Sequence, residues 1–139
     1  MDVKDLIRKH EGLRLLPYLC TSGKITIGYG RNLEDVGITP QEAEIMLITD
    51  LNRCMTDLSR LFPDFLDYPQ EVKAVLADMV FNLGTSRFLT FKKFIEAIRQ
   101  RDYQRACEEM KDSKWYSQVT NRAEEDISIL RSVVDNQVG

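Results

Sequence analysis

The stretch that decides the fold is Glu11–Leu33, which reads EGLRLLPYLCTSGKITIGYGRNL. It begins where a charged helical pattern stops, and Gly12 is a residue that commonly ends helices. Thr21–Gly23 is typical of a turn, and Lys24–Tyr29 is rich in β-branched and aromatic residues. We therefore predict a small antiparallel sheet over residues 13–34. A sheet of this size is marginal alone and has to pack against helices.

Helical patterns lie on both sides of the predicted sheet. Apolar residues recur at spacings of three and four in residues 2–11 and 39–61, which predicts a short and a long amphipathic helix. Thr39, Pro40 and Glu42 have the arrangement of a capping box at the start of the long helix. Further helices are predicted within residues 69–84, 91–99, 102–112 and 121–134. The predicted fold class is α+β and predominantly helical, with a cleft between sheet and helices.

The chain of 139 residues has a length that suits a single domain. Within it we predict a β-containing lobe at about residues 12–38 and a linking helix at about residues 39–61. The larger helical lobe is expected to contain residues 62–139 together with residues 1–11.

Composition excludes several classes of protein. Charged residues make up 29% of the chain and the net charge is −3, with no basic stretch of the kind that binds nucleic acid. No apolar run approaches the ~18 residues of a membrane span, and the charged N-terminal residues have no apolar signal-peptide core. We therefore predict no nucleic-acid partner and no stable membrane insertion.

The cysteines and the single histidine do not form a metal-binding pattern. Cys20, Cys54 and Cys107 are widely spaced, and His10 is the sole histidine. This spacing argues against a zinc site and against a disulfide framework, and it favours folding in a reducing compartment. Cys54 and Cys107 lie on apolar helical stripes and are predicted to be core residues. We predict no metal and no cofactor.

Glu11 is the one carboxylate within Glu11–Leu33 and is a candidate proton donor. At the end of an amphipathic helix it can project towards a cleft, where half-burial against apolar side chains would keep it protonated. From spacing alone, an ordinary glutamate on the helix surface is the commoner alternative.

Eight residues separate Glu11 from Cys20, and five separate Cys20 from Thr26. This spacing, together with the segments Glu11–Leu15 and Thr26–Gly30, resembles the phage-type lysozymes, or endolysins, a family of glycoside hydrolases. The signature of that family has three positions. The first is a glutamate, the second is either an aspartate or a cysteine, and the third is a threonine.

Further segments resemble the same family in the same order along the chain. Thr39–Ala43 is similar to the start of its linking helix, and Met79–Gly84 to its core-helix segment. Ser113–Tyr116 and Asn121–Ala123 are similar to its closing segments. The resemblance therefore covers nearly the whole chain and implies a lysozyme-like fold.

The resemblance implies that Glu11, Cys20 and Thr26 are catalytic. Glu11 would donate the proton to the leaving oxygen, and Thr26 would hold a water in line. Cys20 is left with three alternatives: a thiolate base, a nucleophile, or a group that positions the water. The family favours an inverting reaction that uses water. A nearby cation, Arg14, Lys24 or Arg31, would increase the thiolate fraction of Cys20.

The resemblance also implies substrate-binding or supporting roles for Gly30, Phe81, Asn82 and Arg122. Arg122 would form an ion pair with Glu11. Taken alone, Phe81 reads as a core residue, and Gly30 as a turn residue or a point where a ligand approaches the backbone.

The function implied by the resemblance is hydrolysis of the β-1,4 bond between N-acetylmuramic acid and N-acetylglucosamine in bacterial peptidoglycan, which would lyse the cell. We expect a monomer that is made in the cytoplasm without a signal peptide. It would reach the wall through a holin-type lesion or another export route.

Two alternatives belong to other classes. One is a catalytically weak wall-binding or structural component with a lysozyme fold, such as a tail or effector protein. The other is a thiol hydrolase that uses Cys20 with His10, for which no second motif is present.

Overall fold

A computed structural model of the chain describes residues 2–138. In these residues eight α-helices, one short 3-10 helix and three strands follow one another in the order α1 (Val3–Glu11), β1 (Arg14–Leu19), β2 (Ile25–Gly28), β3 (Arg31–Asn32), α2 (Pro40–Leu61), the 3-10 helix (Phe65–Asp67), α3 (Gln70–Leu83), α4 (Thr85–Phe88), α5 (Lys92–Arg99), α6 (Tyr103–Lys111), α7 (Lys114–Gln118) and α8 (Thr120–Val138). The predicted α+β class, with helix predominating, is confirmed. The predicted cleft stays a prediction.

The three strands form one antiparallel sheet in the order β1-β2-β3. Thr26 in the central strand lies opposite Tyr18 on one side and Asn32 on the other. An irregularity in β1 between Arg14 and Tyr18 coincides with Pro17, which has no N–H to give to a sheet ladder. The sheet predicted over residues 13–34 is confirmed.

Local signals set the helix ends. The Thr39 hydroxyl accepts from the Glu42 N–H at 3.1 Å, and the Glu42 carboxylate accepts from the Thr39 N–H at 2.9 Å, so the capping box is formed. Gly12 and Gly84 end α1 and α3 with φ values of +71° and +80°, which side chains disfavour. The sequence analysis missed α4 and α7, because helices of four and five residues are too short to show a period.

The chain forms two compact units, one up to Leu47 and one from Ile48 onward, and the division falls within α2. The first unit contains α1 and the sheet. The sequence analysis grouped residues 1–11 with the helical lobe, and the lobe boundaries stay a prediction.

The second unit contains the hydrophobic core. Its buried apolar residues run from Leu58 to Val133 and include seven residues of α3. Aromatic rings in this core meet edge to face, as Phe62 does with Phe88 at a centroid distance of 6.5 Å. Cys107 belongs to this core, as predicted, and Cys54 is partly buried against it.

None of the helices that the structure describes is long and apolar enough to cross a membrane.

Candidate active site

The Glu11 side chain lies against the backbone of Gly30. Glu11 is the last residue of α1, and Gly30 is in the turn between β2 and β3. A Cβ atom added to Gly30 would stand 2.7 Å from Glu11 Oε2 and 3.0 Å from Glu11 Cδ. Gly30 also has a φ of +80°. The backbone conformation therefore favours glycine here, and an added Cβ would also force the Glu11 carboxyl to move.

Glu11 is exposed rather than half-buried. No residue of α1 is buried, so the last residue of this helix has no apolar wall beside it. The half-burial expected from the sequence is therefore not what the structure provides. The carboxyl lies instead on the surface, against the backbone of Gly30.

Cys20 starts the tight turn between β1 and β2. Its N–H donates to the Lys24 carbonyl at 2.9 Å, and its carbonyl accepts from the Gly23 N–H at 2.8 Å. Gly23 has a φ of +79°, which suits the turn predicted at this place. The turn holds the Cys20 sulfur 3.1 Å from the Ser22 hydroxyl.

This environment favours the thiolate form of Cys20. Hydrogen bonds lower the pKa of the Cys20 thiol to about 7. The hydrogen bond with the Ser22 hydroxyl has the largest effect, followed by those with the backbone of Lys24 and Ser22 and with the Thr26 side chain. A thiol with this pKa is about half ionised at neutral pH. The turn thus gives Cys20 a negative charge that an ordinary cysteine mostly lacks.

The three cations considered in the sequence analysis are not the cause of this shift. Arg14 stacks over the Tyr18 ring at 4.4 Å. Lys24 lies 3.5 Å from the Asp35 carboxylate, and Arg31 pairs with Glu42 through two hydrogen bonds. These side chains have other partners, and hydrogen-bond donors in the turn take the role that the sequence analysis assigned to a cation.

Thr26 is buried in the central strand, with 3% of its surface exposed. Its hydroxyl donates to the Lys24 carbonyl at 2.8 Å. While that bond is made, the hydroxyl oxygen keeps its lone pairs and can accept a hydrogen bond from a water. If the hydroxyl turns towards Cys20, its single proton supports the thiolate instead.

Ser22 and Glu34 support the site and were missed by the sequence analysis. The Glu34 carboxylate accepts from the Ile25 N–H at 2.9 Å, which ties the segment after β3 to the strand that carries Thr26. A serine two residues after Cys20 in a predicted turn is a signal that could have identified Ser22, because serine hydroxyls commonly bond to groups two residues away in turns.

Asn82 in the second unit is oriented by Trp115. The indole N–H of Trp115 donates to Asn82 Oδ1 at 2.7 Å, and Trp115 is only 2% exposed. Since the acceptor atom of Asn82 is occupied, its amide N–H groups are left for a ligand. A cavity of about 330 Å³ adjoins them and is lined by Asn82, Gln118, Val119, Thr120, Asn121 and Arg122.

Phe81 is 41% exposed, so its interpretation as a core residue is wrong. Its neighbour Val80 and the nearby Leu83 are on the buried side of α3, and Phe81 is turned away from them. It lines a cavity of about 270 Å³ with Cys54, Asp57 and Thr85.

Arg122 binds Asp78. Its Nη2 donates to Asp78 Oδ1 at 2.6 Å and its Nε donates to Oδ2 at 3.0 Å. This fork geometry holds the guanidinium plane in one orientation. The ion pair with Glu11 implied by the resemblance joins residues of the two units and stays a prediction.

The model of the phage lysozyme family matches residues 8–128. This chain belongs to the phage lysozyme family. The matched range contains Glu11, Cys20, Thr26, Asn82 and Arg122, so the contacts described above lie within the part of the chain that defines the family.

The chain is similar to proteins from different sources. The chain is 28% identical to "Probable T4-type lysozyme 1" of Dictyostelium discoideum, over 94% of each chain. It is 34% identical to "Endolysin" of Acyrthosiphon pisum secondary endosymbiont phage 1, over 79% of this chain and 74% of the relative. It is 29% identical to "Peptidoglycan hydrolase gp36" of Pseudomonas phage phiKMV, over 70% of this chain and 11% of the relative.

In residues 2–138 of this phage lysozyme family member, no group of three or more His, Cys, Asp and Glu side chains is arranged to hold a metal ion.

Proposed function

We propose that this chain is a muramidase that hydrolyses the β-1,4 bond between N-acetylmuramic acid and N-acetylglucosamine in bacterial peptidoglycan. Membership of the phage lysozyme family supports a lysozyme activity, and the relative named a peptidoglycan hydrolase supports the substrate. The observation that carries the proposal lies in the first unit, where the Glu11 carboxyl lies beside Gly30 and the Cys20 sulfur is held 3.1 Å from the Ser22 hydroxyl.

In this proposal Glu11 is the general acid. Cleavage of a glycosidic bond needs a proton on the leaving oxygen as the bond from that oxygen to the anomeric carbon breaks. The position of the carboxyl beside Gly30 supports this role, because the absence of a side chain at Gly30 leaves room for the carboxyl there. Positioning of this kind is a large part of the rate that such a group contributes.

Cys20 and Thr26 act on the attacking water. The water oxygen bonds to the anomeric carbon while the Cys20 thiolate takes one of the water protons. The Thr26 hydroxyl oxygen accepts the other proton in a hydrogen bond and keeps the water in line. The bond to the leaving sugar breaks, and that sugar takes the Glu11 proton, so charge and protons balance with inversion at the anomeric carbon.

Asn82 and Arg122 contribute binding in this proposal. The Asn82 amide donors suit the carbonyl oxygens of N-acetyl or peptide groups, and Trp115 keeps them turned to the cavity. Phe81 offers an exposed ring face to a sugar or peptide. Arg122 carries the positive charge that would hold Glu11.

The test is release of reducing ends from purified peptidoglycan by the wild type and by Glu11→Gln. Removal of a general acid typically lowers the rate by ~10² to 10⁴-fold, and we expect an unchanged melting temperature because Glu11 is exposed. Glu44→Gln, an exposed substitution of the same kind on α2, is the matched control. A wild type that binds peptidoglycan in a pelleting assay but releases no reducing ends would contradict the proposal and support the wall-binding alternative.

A further inference from the structure

Asp126 is a carboxyl inside the second unit. It lies on α8 with 4% of its surface exposed, and it interrupts the apolar stripe formed by Ala123, Ile127 and Leu130. No hydrogen-bond donor in the described chain reaches its Oδ2 atom. A buried carboxylate oxygen without a donor is costly, because the group has lost its hydration and gained nothing in return.

The carboxyl of Asp78 on α3 is close enough to form a hydrogen bond with Asp126 when one of the two carries a proton. Asp78 also accepts both hydrogen bonds from Arg122. The cluster therefore has two carboxyls and one guanidinium. If both carboxyls were ionised, they would repel each other and leave one negative charge uncompensated in a largely buried place. A proton on Asp126 removes both problems, since its O–H can then donate to Asp78.

We propose that Asp126 is a positioning residue for Arg122: in its protonated form it hydrogen-bonds to Asp78, and the pair then presents the single negative charge that the Arg122 guanidinium matches. The Asp78 carboxylate is thereby held from two sides, by Asp126 and by Arg122. Arg122 receives one fixed orientation on α8. The consequence for catalysis rests on the proposed function, in which Arg122 supports Glu11.

The charges around Asp126 agree with this arrangement. Burial first, and then the Asp78 carboxyl, raise the pKa of Asp126 to about 8, with a smaller contribution from Glu125. Arg122 opposes this shift. The helices α6 and α7 also pack against α8, and the charged groups that shift the pKa of Asp126 lie on α3 and α8: Asp78, Arg122 and Glu125. For Asp78, burial is outweighed by the hydrogen bonds from Arg122 and Asp126, and its pKa is lowered.

The arrangement makes the orientation of Arg122 dependent on pH. Below the pH at which Asp126 loses its proton, the two carboxyls carry one negative charge between them, and this charge balances the positive charge of Arg122. Above it, a second negative charge appears beside the guanidinium and the hydrogen bond from Asp126 to Asp78 is lost. Arg122 then redistributes between two carboxylates.

Carbon-13 NMR of the aspartate carboxyls in the wild type tests the pair directly. We expect the pair to titrate in two well-separated steps, the upper one near pH 8 and dominated by the Asp126 resonance. The Arg122 Nε–H resonance should shift with that upper midpoint. The proposal would be overturned if both carboxyls titrated below pH 5. It would also be overturned if the chemical shift of the Arg122 Nε–H did not change with the upper step.

Activity profiles of Asp126→Asn give the second readout. The carboxamide donates an N–H to Asp78 at every pH, so the variant mimics the protonated state. The ratio of variant to wild-type activity should be constant below pH 7 and should rise several-fold by pH 9. Glu125→Gln removes an exposed negative charge next along α8 without touching the hydrogen bonds, and its ratio should stay flat. A flat ratio for Asp126→Asn as well, in a protein whose carboxyl pair titrates in two steps by NMR, would overturn the effect of Asp126 on catalysis.

The two readouts separate this inference from the proposed function. The NMR titrations need no substrate, so they decide on the pair even if the chain does not cleave peptidoglycan or if Asp126→Asn does not fold. Asp126→Leu, which has no donor, should shift the Arg122 resonance at all pH values. The Glu11→Gln assay decides on the muramidase, whatever the carboxyl pair does.

Discussion

The two units of this phage lysozyme family member are stabilised by different interactions. Among the described residues of the first unit, Thr26 alone is buried. The Glu11 carboxyl lies beside Gly30, and a hydrogen bond within the β1–β2 turn holds Cys20. In the second unit a large apolar core fixes α3 and α8. The comparison teaches that substitutions in the first unit should change activity more than stability, and core substitutions in the second should do the opposite.

The largest effect should come from the core. Phe62 is fully buried, and Phe62→Ala should lower the free energy of unfolding by about 3–5 kcal/mol, because the core loses a ring and keeps a cavity. Urea unfolding measures the change. Leu66→Ala is the matched control, since Leu66 is 80% exposed and its loss should cost less than about 0.5 kcal/mol. Equal losses of unfolding free energy in the two variants would contradict the conclusion that the apolar core stabilises the second unit.

Gly30→Ala should lower activity by about 10²-fold, because the new Cβ stands where the Glu11 carboxyl lies and displaces it by about an ångström. Gly37→Ala separates this clash from backbone strain, since Gly37 has a similar φ of +69° but nothing within 4 Å of the added Cβ. Both variants should lose about 1–2 kcal/mol of stability. If hydrolysis rates fall equally in both, the Glu11 contact is not what matters.

Substitution of Cys20 sharpens the comparison within the first unit. Cys20→Asp should retain substantial activity, because a carboxylate supplies the same negative charge, while Cys20→Ser should lose about tenfold or more for lack of an anion. The wild type should gain activity as pH rises through 7, where the thiol ionises. Cys20→Asp should reach its plateau at lower pH. Steady-state hydrolysis across pH measures these profiles.

Two results would change the role of Cys20. Equal activity of the wild type and of both variants would mean that Cys20 only fills space. An inactive but folded Cys20→Asp would favour a role special to sulfur, such as a covalent intermediate.

The smallest effect should come from Ser22→Ala. Its hydroxyl is the main cause of the lowered Cys20 pKa, so its removal should move the pKa upward from about 7 and reduce activity at pH 7 a few-fold. The rate of iodoacetamide alkylation as a function of pH reports that pKa. Burial raises the pKa of the Cys54 and Cys107 thiols, so these should react later in the titration. Ser117→Ala, an exposed substitution in α7, should leave the alkylation profile unchanged.

Much of the fold was predictable because its signals are local. The helix ends at Gly12 and Gly84 and the capping box of Thr39 and Glu42 each depend on residues within one helical turn. The short helices α4 and α7 were not predictable, because a single turn has no period to detect.

The sequence by itself determined the family, the small sheet between helices, and the spacing of Glu11, Cys20 and Thr26. Only the tertiary structure decided how these residues are held, because contacts between residues distant in sequence leave no local signal. Three features depend on chain segments that meet only after folding: the position of the Glu11 carboxyl beside Gly30, the hydrogen bonds from Arg122 to Asp78, and the burial of Asp126. Hydrogen bonds rather than nearby cations set the charge of Cys20, since folding gives Arg14, Lys24 and Arg31 other partners.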